Sequence, residues 1–569
     1  MQELTVRPDG SGQPQPAAPL DPFPAASEAL GSLRLRRILW ALVALGIVVR
    51  LIRFLLRFPL WPDEAFLAHS YLDRGYLALL EPLDFRQVGP LLYLWIQLTF
   101  IKLLGFSEFS LRLYVLLCGI GSLFLFRHLA SRLLGGTALL LAVGAFAVAY
   151  PLIRYSAEAK PYGSDMFASL ALLTLFVEWC RAPQDRRWAW ALAAALPVAV
   201  ALSFPAVFVG GGIVLAMGLV LLGRGTWRAW LRWATCGLTL CGGFAALFAF
   251  SAANQMSSAG TAMRACWSDT FPPLRSPGRL AAFLLESHTS EALSYPVGGA
   301  HGASTLTFLC SAAAVWVLLR GRRFALLTAC LCPLALNFIA AAMHCYPYAG
   351  HVRFALYLAP IVCLLTGLGG AALLSLLRGR RWPAAAPVVV TAAVLAVIGV
   401  AASTRDFFKP YKETCFMRNR DFARWFWFDK AIGAELVCAE TDLHQKFHAP
   451  RDCDDIASLY YCNQRIYSPR HARREDAHLD QVSRSRPLRC ACFMPAADHA
   501  AHDDAARLQW LGEMQARYRL VGKEEYPLPF FRKERELLYV DRIELYEFVP
   551  RDALADRAGD RPLFPGRPE

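Results

Sequence analysis

Long apolar runs recur along the first 402 residues of the chain and then stop. Eleven of them are long enough, or nearly so, to cross a bilayer as helices, because a span needs about 20 predominantly apolar residues. They lie near 37–58, 111–133, 137–152, 164–180, 188–203, 205–222, 231–250, 302–319, 325–343, 352–374 and 383–402. The pattern predicts a polytopic α-helical membrane protein with about 11 transmembrane helices.

A twelfth apolar segment, 90–106, is at the lower limit of length and carries Gln97 and Lys102. Arginines decide how it is interpreted, because positive charge concentrates on the cytoplasmic side of membrane proteins. Six short segments between the runs hold 17 arginines and one acid, Asp185. All six segments fall on the cytoplasmic side if 90–106 lies flat on the membrane. If 90–106 crosses the membrane, five of the six segments lie outside. We therefore predict an interfacial helix at 90–106.

The same count of crossings assigns the remaining segments to sides of the membrane. Segments 59–110, 153–163, 251–301 and 344–351, and everything after 402, are predicted to lie outside the cytoplasm. The arginine-rich loops are too short to form a domain. The sequence thus predicts a multi-pass protein of the bacterial inner (plasma) membrane, with a cytoplasmic N-terminus and its chemistry on the outer face.

Three regions follow from this pattern. Residues 1–32 are rich in Pro, Ala, Gly and Ser, which is typical of a disordered tail, and residues 33–402 form the transmembrane domain. In residues 403–569, helical patterns such as DFARWFWFDKAI and DDAARLQWLGEMQARY alternate with the strand-like runs GAELVCAE, PLRCACFM, YRLVGKEEY and DRIELYEFV. This alternation predicts a soluble extracytoplasmic α/β domain, in which six cysteines leave room for disulfides.

Composition agrees with a membrane protein. Of 569 residues, 56% are hydrophobic and 18% are charged, which excludes a disordered or coiled-coil chain and is too apolar for an ordinary soluble enzyme. The net charge of +14 is explained by arginines at the ends of apolar runs. Nucleic acid is therefore not expected as a partner, whereas the lipid bilayer is.

The first candidate site is the segment WPDEA, directly after the first run. Asp63 and Glu64 are adjacent acids at the membrane rim, and such acids are costly unless they pair, bind a cation or act as acid or base. An acidic pair is commonly just the solvated start of a loop. Here the segment holds few charges and is flanked by aromatic residues, which favours a functional site.

The second candidate is RYSAEAKPYGSD, where Arg154, Glu158, Lys160 and Asp165 crowd around a helix end broken by Pro161. The structural alternative is an internal Glu–Lys pair with side chains that reach the interface. The functional interpretation is a set of cations for a phosphate group, oriented by the carboxylate.

The third candidate is HCYPYAGHVRFALYLAP, where His351 and Arg353 open a late run on the outer side. An arginine there suits an anionic lipid headgroup and a substrate phosphate equally well. No HExxH spacing is present, so no metal site is predicted, and a divalent cation stays open as a cofactor. Phosphate-loop, GxSxG and dinucleotide signatures are also absent from the sequence.

The order and spacing of five short motifs resemble the C-type (GT-C) membrane glycosyltransferases. They are WPDEA, Q-x-x-P-L-x-Y, GFSEFSLRL, YSAEAKPYGSD and VRFALYLAP. In particular, the chain is similar over about 37–402 to the bacterial branch related to protein O-mannosyltransferases and lipid A aminoarabinose transferases. The tail after residue 402 resembles no family that we can name.

This resemblance implies a role for each matching residue. Asp63 is expected to be the general base, supported by Glu64. Glu158, Lys160 and Tyr162 are expected to line the site, and Gln87 opens the surface helix. Arg353 matches the arginine of a late Arg-Tyr motif, although Phe354 replaces the tyrosine. Because the donor phosphate must be met by cations at the rim, the candidates for binding it are Arg86, Lys160, Arg154 and Arg353.

The predicted function is an inverting transfer of a sugar from a polyprenyl-phosphate donor to an acceptor hydroxyl. The acceptor is a lipid, a polysaccharide or a protein; the sequence does not distinguish them. Two alternatives stay open. A lipid-linked sugar flippase or transporter should show repeated halves with broken helices facing each other at mid-membrane, and no such repeat is visible. A sensor or assembly protein would use the tail to bind a partner.

Overall fold

The computed structural model describes residues 33–222, 225–377, 386–408, 420–421, 435–440, 487–495, 508, 511–527 and 540–551. Over these ranges a large helical bundle is followed by a small β-sheet. The predicted N-terminal tail 1–32 lies outside the described residues, as does nearly all of the predicted helix 421–432.

Every apolar run predicted from the sequence coincides with a helix, although the termini differ by a few residues. The helices are α1 (Leu33–Leu55), α2 (Pro62–Asp73), α3 (Leu91–Leu104), α4 (Glu108–Leu133), α5 (Gly136–Val148), α6 (Tyr150–Tyr155), α7 (Tyr162–Arg181), α8 (Arg186–Leu202), α9 (Ala206–Leu221), α10 (Trp227–Leu247), α11 (Ala253–Cys266), α12 (Pro277–Thr289), α13 (Thr305–Arg320), α14 (Phe324–Ala342), α15 (Ala359–Leu377) and α16 (Ala386–Phe408). One-turn 3₁₀ segments occur at Leu77–Leu80, Asp84–Arg86, Ser268–Thr270 and Glu291–Leu293, a longer one at Val352–Leu358, and a π-helical turn at Phe248–Ala252.

Among the described residues, six helices are long and apolar enough to cross a membrane, and five shorter apolar helices accompany them. The six are Leu33–Leu55, Glu108–Leu133, Tyr162–Arg181, Trp227–Ser257, Phe324–Ala342 and Val352–Leu376. A multi-pass helical membrane protein is thus supported, while the number of eleven spans stays a prediction.

The first two long helices run antiparallel. At one end Trp40 packs against Phe124, with ring centroids 6.1 Å apart, and at the other Arg57 pairs with Glu108 at 3.1 Å. The chain between them therefore leaves and re-enters the bundle at the same end. At 14 residues, α3 would be about 21 Å long, short of the roughly 30 Å hydrocarbon core. This geometry agrees with an α3 that does not cross.

Arginine-rich helix ends meet at the opposite end of the bundle. Arg132 and His128 both contact Glu178, each at 2.9 Å. Arg127 lies over the ring of Trp40, 4.0 Å from its centroid. Clusters that the sequence assigned to one side of the membrane, at the ends of α1, α4 and α7, therefore share one face of the protein.

After the bundle, four strands form one sheet in the order β1-β2-β4-β3. They are β1 (Glu435–Glu440), β2 (Leu488–Pro495), β3 (Tyr518–Pro527) and β4 (Val540–Pro550). β1 pairs with β2 in parallel, and the other two pairings are antiparallel. All four strand-like runs of the tail are strands, and residues 511–517 of the predicted second helix are helical.

The chain enters this second part at the end of the bundle that carries WPDEA. The guanidinium of Arg420 donates to the carbonyl of Arg57 and lies 3.5 Å from a carboxylate oxygen of Glu108. The tail therefore begins on the same face as the candidate site.

Candidate active site

The start of α2 places the two acids of WPDEA. Pro62 occupies the first helical turn, where its missing N–H costs nothing. Glu64 reaches back, and its Oε2 accepts from the backbone N–H of Trp61 at 2.9 Å. This contact caps the start of α2 and leaves Asp63 at the helix N-terminus, where the helix dipole stabilises a negative charge.

Glu64 is fully buried, and its hydrogen bonds tie three segments together. Its Oε1 accepts from the backbone N–H of Ala159 at 2.7 Å and from Arg112 Nε at 3.0 Å. Its Oε2 accepts from Arg112 Nη2 at 3.0 Å. Glu64 therefore faces Arg112 and the YSAEAKPY segment, and it joins the start of α2 to both.

Asp63 is half-buried and points to a different partner. Its Oδ2 accepts from Nη1 of Arg353 at 2.8 Å, and the side chains of Asp63 and Arg353 are 32% and 17% exposed. Both side chains of the pair are therefore accessible to a substrate. The predicted base and a predicted phosphate-binding cation are thus direct neighbours.

Lys160 is buried beside this pair. Its Nζ donates to Oε1 of Gln87 at 2.8 Å, so the predicted Gln87 and Lys160 are joined across two segments. Burial lowers the pKa of Lys160; the charge of Asp63 opposes this shift, and the charge of Arg353 adds to it. The ammonium is therefore placed in a poorly solvated position where an anion would stabilise it.

Arg154 and Glu158 form a pair one helical turn apart, with 2.9 Å between Arg154 Nε and Glu158 Oε1. Arg154 also lies over the ring of Tyr155, 4.7 Å from its centroid. Tyr155 packs edge-on against Tyr162, with centroids 5.3 Å apart. Arg154, a predicted phosphate-binding cation, is thus held in place by Glu158, which is predicted to line the site.

Arg86 differs from the other predicted cations because its side chain is exposed. It follows Phe85 in a turn where both residues have positive φ, 52° and 53°. Asp84 holds this turn through a hydrogen bond with His69 at 2.8 Å and a contact with Arg74. Although burial alone would raise it, the pKa of Asp84 is lowered because His69 and Arg74 stabilise the carboxylate.

Three residues at the site were not assigned a role from the sequence. Arg112 lies in the quoted GFSEFSLRL motif, but its pairing with Glu64 needs the fold. Gln255, just after the π-helical turn, accepts from the backbone N–H of Gly89 at 2.9 Å. Trp267 covers Arg353, with 4.7 Å from Arg353 Cζ to the ring centroid. No sequence motif marks Gln255 or Trp267.

The arrangement can support removal of a proton from a bound substrate by Asp63, next to a site where Arg353 and Lys160 can hold an anionic group. A half-exposed carboxylate, Asp63, lies next to the two cations Arg353 and Lys160 at the end of the helical bundle. In the part of the chain that the structure describes, no three His, Cys, Asp or Glu side chains group together to bind a metal ion. The chemistry that these residues can supply by themselves is acid–base and electrostatic.

The chain is similar to known proteins in part of its sequence and in its fold. Residues 88–253 match the family described as dolichyl-phosphate-mannose-protein mannosyltransferase. A crystal structure of ArnT from Cupriavidus metallidurans bound to undecaprenyl phosphate is similar with a TM-score of 0.50 and 14% identity, covering 92% of this chain and 99% of that one. Its apo form gives 0.49 and 14%, covering 89% and 97%. An oligosaccharyltransferase from Archaeoglobus fulgidus gives 0.42 and 13%, covering 76% and 65%.

No protein matched in a search of curated sequences. The similarity to ArnT extends over nearly the whole of both chains, which at 14% identity is a statement about fold. The fold and the partial family match together confirm the resemblance that the five motifs indicated: this chain has the architecture of the C-type membrane glycosyltransferases.

Proposed function

We propose that this protein is an inverting membrane glycosyltransferase, which moves a sugar from a polyprenyl-phosphate donor to an acceptor hydroxyl. The observation that carries the proposal is the meeting of Asp63 with Arg353 and Lys160 at one end of the bundle. A base and two cations are the groups that such a transfer requires. The undecaprenyl phosphate bound by ArnT is a ligand of the proposed chemical class.

Asp63 acts as the general base. The acceptor oxygen attacks the anomeric carbon of the sugar and gives up its proton to the Asp63 carboxylate. The bond between the anomeric carbon and the phosphate oxygen breaks, and its electron pair leaves with the lipid phosphate. Attack from the face opposite the leaving group inverts the anomeric centre.

Arg353 and Lys160 receive the leaving phosphate. Negative charge grows on that phosphate as the glycosidic bond breaks, and cations already in place stabilise it most in the transition state. Arg353 offers a planar fork that suits phosphate oxygens, whereas Lys160 contributes a compact charge in a poorly solvated position. Arg154, on the segment that carries Lys160, and Arg86, on the segment that carries Asp63, assist in binding the donor.

The acceptor site is assigned to the outer face of the membrane. The segments that carry Asp63, Lys160 and Arg353 meet at the end of the bundle opposite the arginine-rich ends of α1, α4 and α7. A polyprenyl donor reaches this rim from within the bilayer. The acceptor is a lipid, polysaccharide or protein that presents a hydroxyl to the same face.

The test is transfer by the full-length protein in proteoliposomes, supplied with radiolabelled sugars linked to polyprenyl phosphate. Sugars that accumulate on polyprenyl phosphate in a deletion strain, compared with its parent, identify the donor to use. Asp63→Asn should lose transfer, while Asp73→Asn, an exposed carboxylate on the same helix α2, should retain it. Full activity of Asp63→Asn, or no transfer from any polyprenyl-linked sugar, would contradict the proposal.

A further inference from the structure

Trp267 lies directly over the guanidinium of Arg353. The Cζ atom of Arg353 is 4.7 Å from the centre of the indole ring, within the range of an attractive cation–π contact. His351 and Phe354 meet the same ring edge-on, with centroids 5.2 and 4.9 Å away. Arg353 is therefore held between an aromatic face and the carboxylate of Asp63.

The segment that carries Trp267 is fixed to the segment that carries Arg353. The carbonyl of Thr270 accepts from the backbone N–H of Tyr348 at 3.1 Å, and the Thr270 hydroxyl donates to the carbonyl of Trp267 at 2.7 Å. Gly350 packs so closely that a methyl group in its place would come within 2.2 Å of Thr270 Cγ2. The ring position thus depends on contacts that are specific to these two segments.

Arg353 retains hydrogen-bonding capacity in this arrangement. Its Nη1 donates to Asp63, while its buried Nε has no hydrogen-bond partner among the described residues. A guanidinium has five N–H donors in a fixed fork, so donors remain for an anion. The indole face contributes attraction to the cation without using any of them.

We propose that Trp267 is a positioning residue, which keeps the Arg353 guanidinium in place to receive the donor phosphate when Asp63 turns to the acceptor. This inference rests on the proposed function. Arg353 Nη1 occupies Oδ2 of Asp63, so this contact must rearrange for that oxygen to receive the proton of the acceptor. The cation–π contact does not depend on Asp63 and persists through that exchange.

Substitutions at Trp267 separate this role from simple packing. Phenylalanine retains an aromatic face, while leucine retains apolar volume without one. Trp267→Leu is expected to raise KM for the polyprenyl-linked donor about tenfold, with a smaller change in kcat. Trp267→Phe is expected to stay within about threefold of the wild type. Equal effects of the two variants would overturn the inference.

A matched control is present at the other end of the protein. Trp316 lies over Arg320 in the same way, with 4.5 Å from Arg320 Cζ to the ring centre. Trp316→Leu should leave donor KM unchanged. A loss equal to that of Trp267→Leu would mean that removal of any arginine–tryptophan pair weakens the protein, and would overturn the inference.

The double variant Trp267→Leu/Arg353→Ala tests whether the ring acts through Arg353. In the Arg353→Ala background, the second substitution should cause no further loss of affinity for polyprenyl phosphate, measured by titration of the detergent-solubilised protein. Additive losses would contradict the inference. Wild-type protein that binds no polyprenyl phosphate contradicts the proposed function, whereas binding that Trp267→Leu leaves unchanged contradicts only the role of Trp267.

Discussion

Asp63 and Arg353 are 290 positions apart in the chain and form an ion pair, with 2.8 Å between Oδ2 and Nη1. Because both side chains remain partly exposed, a donor phosphate can compete with Asp63 for the arginine. Binding of the donor would then release the carboxylate for its work as a base. In the proposed reaction, the pair would thus couple donor binding at Arg353 to the availability of Asp63 as a base.

Asp63→Asn should separate binding from chemistry. Transfer is expected to fall by about 10²- to 10⁴-fold, because an amide cannot accept the proton. Affinity for polyprenyl phosphate should be equal to that of the wild type or higher, because Arg353 no longer has a carboxylate competitor. Parallel measurements of single-turnover transfer and ligand titration check this, and weaker binding by Asp63→Asn would contradict the coupling.

Lys160 should give donor binding a dependence on alkaline pH. Its pKa is lowered by burial, so it loses its proton at a lower pH than a solvated lysine, whose pKa is about 10.4. The charged form binds the phosphate, and affinity should therefore fall as pH rises through the lowered pKa. Donor titrations between about pH 7 and 10 should show this fall in the wild type. Lys160→Met should bind the donor weakly throughout that range. If donor affinity falls with pH by the same factor in this variant, the pH dependence belongs to another group.

Glu64→Gln should destabilise the fold more than any exposed carboxylate substitution does. The change leaves Arg112 buried without its counter-ion, and a broken buried pair costs about 3 to 5 kcal/mol. Thermal unfolding of the purified protein is the measurement. Glu81→Gln is the control, since Glu81 is exposed and such substitutions usually stay within about 0.5 kcal/mol. Equal unfolding temperatures for the two variants would refute the anchoring role.

Arg50 should stabilise the break between α5 and α6. Ala149 has an extended backbone between the two helices, with ψ of 119°, and Arg50 Nη1 donates to the nearby carbonyl of Ala147 at 2.9 Å. Arg50→Met should cost about 1 to 3 kcal/mol by leaving a buried carbonyl unpaired. Thermal unfolding of the purified variant measures this loss. An unfolding temperature equal to that of the wild type would exclude the role of Arg50.

Cys345 reports on the side of the membrane that carries the site. It is an exposed free thiol just after α14, in the segment that leads to Arg353. An impermeant maleimide should label the peptide that contains Cys345 in intact spheroplasts, and Cys345→Ser should remove the label from that peptide. Labelling of Cys345 only after the membrane is opened would place the site on the cytoplasmic side and contradict the assigned orientation.

The helices were predictable because their cause is local. Each apolar run has few ways to satisfy its backbone in a bilayer other than as a helix, and α7 begins where Pro161 ends the preceding turn. The motif residues Asp63, Lys160 and Arg353 were also identified from the sequence, since charged residues at the rims of apolar runs are unusual.

The pairing of those charges was not predictable. Asp63 and Glu64 are chemically similar neighbours, yet one is half-exposed beside Arg353 and the other is fully buried against Arg112. Only the packing of α2 against α4 and the YSAEAKPY segment separates their environments. Trp267 had no sequence signal at all, because nothing in the chain around it indicates that it covers a guanidinium 86 residues away.

The amino-acid sequence by itself determined the bundle of helices, the face on which arginines gather and the residue types available for chemistry. These properties depend on the hydropathy and charge of short segments. The tertiary structure decided which carboxylate meets which cation, because hydrogen bonds and ion pairs act over about 3 Å between side chains that only the packing of distant helices brings together.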